Sequence, residues 1–356
     1  MAMQVTSLAG AVPLADGDYL FVVSPGIRDY VEFGGAGVLV FNRNDHSFVK
    51  RIETAASKQP LAKPANIKGV CAHAGSAKLW FTTPKKLFAL DLNSFETLWE
   101  KELVNGCDRM SVTPDGRFLY VPSFEKDTWN VVRGEDGSVA AEIATKSGAH
   151  NTVCGLDGKF MYLAGLRSPY LSVADTASHK VVKRVGPFSA SIRPFTVNGK
   201  QTRCYVNVNE LLGFEVGDIE TGKKIAEVKV EGFKKGPVKR HGCPSHGIGL
   251  TPDEKEIWLT DGHNTHMHVF DITGEKARQT HSLPLREQPG WVTFSLDGKL
   301  AYPSTGEVFD VATKKKVAAL KDEMGREVHS EKMIQVVYSN GKPVRTGDQF
   351  GLGRKI

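Results

Sequence analysis

The chain has 356 residues, of which 46 are Lys or Arg and 40 are Asp or Glu, so its formal net charge is +6. Hydrophobic residues make up 40% and charged residues 24%, a globular balance that excludes a disordered chain, a collagen-like chain or a small disulfide-rich scaffold. No stretch approaches 18 consecutive apolar residues, and no basic stripe is interleaved with aromatic residues. We therefore expect no membrane span and no nucleic-acid binding.

Residues 1–10 lack the basic region and long apolar run of a secretory signal. This favours a cytoplasmic location, and an exported form whose signal has been removed is the alternative. The cysteines are odd in number and form no CxxC pair, so we expect free, buried thiols rather than disulfides or a zinc site. They are Cys71, Cys107, Cys154, Cys204 and Cys243.

The first predicted strands lie at residues 19–23, 38–41 and 48–52. They read as the second, third and fourth strands of a sheet whose innermost strand is missing from the N-terminal part of the chain. A late apolar run at residues 333–338 belongs to no other sheet, so we expect it to supply that strand and to close a ring.

Between these ends a hairpin pattern repeats: an apolar run, an Asp-Gly-Lys or Asp-Gly-Arg turn, and a second apolar run that ends in an aromatic residue. Clear copies occupy residues 111–120, 153–162 and 292–302, and weaker copies lie near positions 75, 198 and 253. Asp-Gly between two apolar runs is a strong hairpin signal, because Gly adopts the positive φ of a tight turn.

The spacing of these turns indicates the fold. They lie at positions 75, 115, 157, 198, 253 and 297, which are 40, 42, 41, 55 and 44 residues apart. A period of 40–45 residues built from short strands is typical of β-propeller blades. We therefore predict a single all-β domain over residues 1–356, a seven-bladed β-propeller with four-stranded blades. The gap of 55 predicts an insertion in blade five, around residues 231–241.

The repeats resemble the YVTN family of seven-bladed propellers over nearly the whole chain. The best local matches are residues 244–253, 258–261 and 120–123, whereas blade two lacks the Asp-Gly turn and blade five carries the insertion. Propellers of this kind include lactonases, lyases, surface-layer proteins and binding subunits, so the resemblance implies the fold and not one function. The aromatic residues that recur in the second strand should pack between blades; they are Tyr120, Tyr162, Trp258 and Tyr302.

Topology predicts where a site would lie. The residue seven places before each turn should sit at the start of an innermost strand, beside the central channel. This register gives Lys68, Asp108, His150, Ser191, His246 and Gly290. Two histidines and one carboxylate thus share one register, and the start of the C-terminal strand adds His329, Glu331 and Lys332 on the same face.

Histidines can ligate a metal or transfer protons near neutral pH, carboxylates can orient them, and cationic side chains attract an anionic ligand into a concave pocket. We therefore predict catalytic roles for His150, His246, Asp108 and Glu331. The predicted substrate-binding residues are Arg193, Arg167, Tyr30, Trp291 and Lys68. The predicted ligands of a divalent metal ion are His150, His246, His329 and His263.

Three further residues lie near this site in the sequence. His268 is expected to be a core histidine, and His241 could reach the site from the insertion. Cys243 has no evident base and is a weak nucleophile candidate.

Two functions remain open from the sequence. One is an enzyme of lyase, isomerase or lactone-hydrolase type that acts on a small anionic or carbonyl-bearing molecule. The other is a non-catalytic propeller that binds a ligand, a metal or a protein partner on the same face.

Overall fold

The computed structural model describes residues 14–57 and 64–356. Within these ranges the chain forms 29 β-strands in seven sheets. No helix in this part of the chain is long and apolar enough to cross a bilayer. The segment on which the secretory-signal prediction rests, residues 1–10, lies outside the described residues.

The first four blades follow one another in chain order. Blade 1 contains β1 (Gly17–Ser24), β2 (Gly37–Asn42) and β3 (Phe48–Ile52). Blade 2 contains β4 (Gly69–His73), β5 (Lys78–Thr82), β6 (Lys86–Asp91) and β7 (Thr97–Glu102). Blade 3 contains β8 (Ser111–Val112), β9 (Phe118–Pro122), β10 (Thr128–Arg133) and β11 (Val139–Ala144). Blade 4 contains β12 (Ala149–Cys154), β13 (Phe160–Gly165), β14 (Leu171–Asp175) and β15 (Lys180–Val185).

The remaining strands complete the ring. Blade 5 contains β16 (Ile192–Val197), β17 (Arg203–Val208), β18 (Gly213–Asp218) and β19 (Lys223–Lys229). Blade 6 contains β20 (Ile248–Leu250), β21 (Glu256–Asp261), β22 (His266–Asp271) and β23 (Arg278–Pro284). Blade 7 contains β24 (Val292–Phe294), β25 (Leu300–Pro303), β26 (Glu307–Asp310) and β27 (Lys316–Ala319), and the chain ends with β28 (Met333–Ser339) and β29 (Lys342–Thr346).

The seven-bladed all-β propeller predicted from the turn spacing is confirmed, with one difference in strand number. Six sheets have four strands, whereas the first has five, in the order β29-β28-β1-β2-β3. Strand β28 pairs antiparallel with β1, so the two ends of the described chain share one blade. Strand β29 continues that sheet as a hairpin with β28 and was not predicted.

Burial explains why the strands read as apolar runs. Blades pack face to face, so their middle strands are buried on both sides; in blade 2, β5 and β6 are almost entirely buried while the outer β7 is mostly exposed. Large side chains fill the spaces between blades. The prediction that the recurring aromatic residues belong to this core is confirmed, because Tyr120, Tyr162, Trp258 and Tyr302 are all buried.

The Asp-Gly turns lie where the sequence placed them. Gly116, Gly158 and Gly298 have φ of 71°, 72° and 70° and lie between the first and second strands of blades 3, 4 and 7. A positive φ is accessible to Gly because it has no Cβ. All five cysteines are free and buried, as predicted.

Two irregular segments shape the channel. Residues 230–247 connect β19 to β20 without a strand, which confirms the insertion in blade five. After β29, residues 347–355 run along the innermost strands. Gln349 accepts a hydrogen bond from the Val70 backbone N–H, and Gly351 accepts one from Leu250. This C-terminal segment was not anticipated from the sequence.

Candidate functional site

A small cavity of about 140 Å³ lies where the innermost strands begin. Its walls come from blades 1 to 5, from the segment before β20 and from the residues that lead into β28. The lining residues are Ile27, Arg28, Asn66, Lys68, Arg109, Glu125, His150, Leu166, Arg193, Arg240, His241, Gly242, His246, Glu331 and Lys332. Six of these carry Lys or Arg side chains and two carry carboxylates, so the walls are predominantly cationic.

The register argument correctly brings His150 and His246 to one cavity. His150 donates from Nδ1 to Asp108 Oδ2 over 2.6 Å, and Arg109 Nη1 donates to His150 Nε2 over 3.2 Å. Because a guanidinium cannot accept a hydrogen bond, this pattern assigns a neutral His150 ring with its proton on Nδ1. Burial lowers the pKa of His150 in spite of the Asp108 carboxylate beside it.

Asp108 is fully buried and remains ionised. Burial alone would raise its pKa, but His150, Lys68 and Arg109 outweigh burial and lower the pKa to about 2. The Lys68 ammonium lies 3.6 Å from Asp108 Oδ1. Lys68 also faces the Phe124 ring, 4.8 Å from its centroid.

The second histidine cluster contains a residue from the blade-five insertion. His241 stacks on His246 with ring centroids 3.8 Å apart and planes 14° apart. His246 Nδ1 donates to the Gly290 carbonyl oxygen over 2.8 Å, which leaves the lone pair on Nε2. Burial lowers the pKa of both rings, for His246 well below the usual value with the neighbouring His241 adding to the effect.

Glu331 is the charged centre of this cluster. Arg109 Nη2 donates to its Oε2, and Lys332 Nζ donates to the same oxygen over 2.9 Å. Burial alone would raise the pKa of Glu331, but Lys332, His241 and Arg109 keep it well below the ordinary range. Burial in turn lowers the pKa of Lys332 to about 7, although Glu331 opposes that shift.

One close contact in the cluster is not an aligned hydrogen bond. His241 Nε2 and Glu331 Oε1 are 3.0 Å apart, yet both buried atoms lack a hydrogen-bond partner among the described residues. Ligand atoms of His241, His246 and Glu331 all lie within 4.8 Å of one another. These three residues therefore form a cluster that could hold a metal ion.

Glycine makes room for this contact. A Cβ on Gly290 would lie 2.1 Å from Glu331 Oε1 and 2.4 Å from His241 Nε2. Gly290 is the blade-seven member of the ring of channel residues, so the carboxylate and the imidazole occupy the space that a side chain there would need.

The segment before β20 covers the cavity and is tied to three blades. Arg28 of blade 1 donates to the Arg240 carbonyl oxygen over 2.6 Å. Arg240 pairs with Glu287 at 2.5 Å, next to blade 7, and His263 Nδ1 of blade 6 lies 3.1 Å from the Pro237 oxygen. These contacts hold His241 against His246.

The four histidines predicted to bind one metal ion do not come together in the described structure. His329 is buried between Glu287 and Ser304, 3.2 Å from the Ser304 hydroxyl, and does not line the cavity. His263 is exposed and packs against Gly236 on the outside of the insertion. Neither residue lines the cavity with His150 and His246, and it is His241, from the segment before β20, that lies beside His246.

Three predicted substrate-binding residues also lie away from the cavity wall. Arg167 is an exposed partner of Asp127 at 2.9 Å, and Tyr30 is partly exposed beneath Arg240. Trp291 lies behind the wall, where Arg109 covers its ring at 4.6 Å and its Nε1 donates to Gln349. Lys68 and Arg193 do line the cavity.

Burial decides the roles of His268 and Cys243. His268 is a core histidine, as expected, with Nε2 3.2 Å from Asp261 and Nδ1 2.9 Å from Ser282. Burial raises the pKa of the Cys243 thiol to about 12, which disfavours a thiolate nucleophile.

Several site residues were missed or underweighted in the sequence. Arg109 directly follows the register residue Asp108, and Lys332 directly follows Glu331 at the start of the C-terminal strand; this adjacency was the available signal. His241 was considered only as an approach from the insertion. For the C-terminal segment the signal was its glycine content: Gly351 has φ of 58° and packs against the backbone of Gly249.

Comparisons with known proteins support the fold. No protein-family profile and no curated protein matches this chain. Among solved structures, it is similar to a chain of the hydrazine synthase of Kuenenia stuttgartiensis, with a TM-score of 0.61 at 12% identity, over 90% of this chain and 100% of that one.

It is also similar to a chain of a mitotic checkpoint complex, with a TM-score of 0.63 at 12% identity, over 85% of this chain and 92% of that one. At such low identity these similarities establish the seven-bladed propeller fold and leave the YVTN resemblance as a resemblance.

Proposed function

We propose that the cavity is the active site of an enzyme that acts on a small organic anion, by chemistry of the lyase, isomerase or lactone-hydrolase type. The observation that carries this proposal is the charge of the walls: six cationic side chains and two carboxylates surround histidines whose pKa values are lowered. Cations in a concave, partly desolvated site attract an anion, and a neutral imidazole can accept a proton from it.

We assign separate tasks to the two histidine groups on the basis of their hydrogen bonds. His246 is the best-placed base, because the Gly290 carbonyl holds its Nδ1–H and leaves Nε2 as an acceptor. His150 Nε2 is already occupied by Arg109, so the Asp108–His150 pair orients the Arg109 guanidinium. Arg109 and Lys332 could then stabilise negative charge that develops on the substrate.

We propose, as the alternative use of the His246 Nε2 lone pair, that a divalent metal ion binds to His241, His246 and Glu331. With the metal bound, His246 is a ligand and does not act as the base. His241 Nε2 and Glu331 Oε1 support this assignment, because they face each other at 3.0 Å without an aligned hydrogen bond. So does the hydrogen bond from His246 Nδ1 to Gly290, since a metal-bound histidine usually donates its second N–H to a carbonyl or carboxylate. The bound metal would act as a Lewis acid beside the anionic substrate.

The second candidate function is a non-catalytic propeller that binds a ligand or a protein partner on this face. Arg109, Lys332 and His150 are already partnered within the protein, an arrangement that suits a rigid binding pocket as well as a catalytic one. The fold similarities do not separate the two functions, because one similar chain belongs to hydrazine synthase and the other to a checkpoint complex.

One set of variants tests both parts of the proposal. Purified protein is analysed for metal content and assayed against a panel of small carboxylates and lactones, alongside His241→Ala, His246→Ala and the control His263→Ala. We expect one equivalent of metal in the wild type and in His263→Ala, its loss in the other two variants, and a fall in turnover of at least about 100-fold for His246→Ala.

Each result in this set has a distinct meaning. Wild-type protein without stoichiometric metal at neutral pH contradicts the metal assignment. Tight binding of a panel compound without turnover contradicts catalysis and supports the binding function. Equal losses in His263→Ala would show that the effect does not come from the cavity.

A further inference from the structure

Lys68 and Arg193, two of the cationic residues of the cavity, lie on different walls. Lys68 immediately precedes β4 of blade 2, and Arg193 lies in β16 of blade 5. Blades 2 and 5 are three steps apart in a ring of seven, so these side chains reach the cavity from nearly opposite directions. Arg28 of blade 1 adds a second cation on the Lys68 side.

Arg193 lines the cavity, and its positive charge is not neutralised by a neighbouring carboxylate in the described part of the chain. Its Nε donates to Asn209 Oδ1 over 2.7 Å, which orients the guanidinium. Among the described residues it forms no ion pair with a carboxylate. A Cβ on Gly242 would lie 2.8 Å from Arg193 Nη2, so this glycine leaves room for the end of the guanidinium. A planar guanidinium of this kind binds a carboxylate through two parallel hydrogen bonds.

The opposite wall is only partly neutralised. Lys68 Nζ lies 3.6 Å from Asp108 Oδ1, beyond ordinary hydrogen-bond distance, and the other oxygen of Asp108 accepts from His150. Arg28 donates only to the Arg240 carbonyl in the described structure. Both cations can therefore take a second anionic group at a distance from Arg193.

The cavity volume limits the size of the ligand. It measures about 140 Å³. A cavity of about 150 Å³ accommodates a six-atom ring such as benzene. A compact molecule of roughly six to nine non-hydrogen atoms therefore fits between the two walls.

We infer that the ligand of this cavity is a short dicarboxylate, with one carboxylate bound by Arg193 and the other by Lys68 and Arg28. The inference rests on the proposed function, which places a small anion in the same cavity, and it adds the substrate class. A monocarboxylate would satisfy one wall and leave the other wall, which is only partly neutralised, without its anionic group in a partly desolvated site, and this is unfavourable.

Calorimetric titration of the full-length protein tests the inference. Malonate, succinate and glutarate are compared with propionate and butyrate at low ionic strength and neutral pH. We expect succinate or a neighbour in the series to bind at least tenfold more tightly than butyrate. Arg193→Gln and Lys68→Met should each lower succinate affinity at least tenfold, because each removes a cation that binds one of the two carboxylates. The matched controls Arg167→Gln and Lys126→Met remove cations outside the cavity and should change it less than threefold.

The outcomes separate this inference from the proposed function. If butyrate binds as tightly as every dicarboxylate, or if Arg167→Gln weakens succinate as much as Arg193→Gln does, the dicarboxylate assignment is wrong while a small-anion site survives. If no carboxylate binds the wild type, both the inference and the small-anion proposal fail. The chain-length series on the wild type needs no variant, so a misfolded variant cannot mask the answer.

Discussion

Arg109 connects the two histidine groups of the cavity. One terminal nitrogen donates to His150 Nε2 and the other to Glu331, while its guanidinium covers the Trp291 ring at 4.6 Å. Removing one member of such a buried charged network leaves the others without compensation, which typically costs several kcal/mol. The histidines, Arg109 and Glu331 are therefore best regarded as one unit.

Gly290 offers a test of the cluster that leaves its ligands in place. In Gly290→Ala the new Cβ would collide with Glu331 and His241, so we expect the two side chains to separate and metal binding to be lost. The control is Gly274→Ala, where the nearest atom to a Cβ is a backbone oxygen at 3.8 Å. Metal analysis of the folded variants checks this, and full metal content in Gly290→Ala would contradict the assigned ligands.

Asp108 should make stability depend on pH. Its pKa is about 2 in the folded protein and 3.8 in the reference state, so its ionised form stabilises the fold above pH 4 and this contribution disappears as the pH falls towards 2. We expect wild type to exceed Asp108→Asn in unfolding free energy by about 2 kcal/mol at pH 6, and the difference to shrink between pH 4 and pH 2.

Denaturant unfolding over that pH range measures the Asp108 effect. Asp29→Asn, which removes an exposed carboxylate of blade 1, serves as the control and should lie close to wild type throughout. A difference between wild type and Asp108→Asn that stays constant from pH 6 to pH 2 would contradict the ionised, buried carboxylate.

At the scale of elements, two segments outside the blades determine the shape of the site. Residues 230–247 carry Arg240, His241 and Gly242 into the wall of the cavity. From within the channel, Gln349 donates to the Glu331 carbonyl oxygen over 2.9 Å and accepts from Trp291 Nε1 over 2.6 Å. One segment thus covers the cavity and the other supports its floor.

Deleting residues 347–356 tests the supporting segment. The deletion removes the hydrogen bonds of Gln349 and Gly351 and the buried side chains of Phe350 and Leu352. Each hydrogen bond contributes about 1 kcal/mol and each apolar side chain about 2 kcal/mol, so we expect the melting temperature to fall by roughly 10 °C and anion binding to weaken.

The control for this deletion is removal of Ile356 alone, since that residue is 93% exposed. Calorimetry and a carboxylate titration provide the two readouts. Unchanged anion affinity after the larger deletion would show that the segment stabilises the propeller without supporting the cavity.

At the scale of the whole molecule, the ring explains why distant residues meet. Strands β28 and β1 place Glu331 and Lys332 in the blade that also contains the first strands of the described chain. The innermost strands converge on the channel, so Lys68, His150 and His246 reach one cavity although up to 178 positions separate them. The chain's net charge of +6 is modest, whereas the six cationic side chains concentrated at this mouth supply a local field for an anion.

Local patterns were sufficient to predict the architecture. Short apolar runs, Asp-Gly turns and a period near 42 residues depend on neighbours in the chain, and the same local pattern recurs in most blades. Once the blades are known, the register of His150 and His246 follows, because equivalent positions of equivalent blades face the same channel.

The sequence by itself therefore determined the repeat, the seven blades and the ring of residues at the channel mouth. Only the tertiary structure decided that His241 replaces His263 and His329 beside His246, that Arg109 occupies His150 Nε2, and that the C-terminal segment supports Glu331. Insertions and tails have no periodicity, and their positions are set by hydrogen bonds and ion pairs with residues far away in the chain, which sequence order does not reveal.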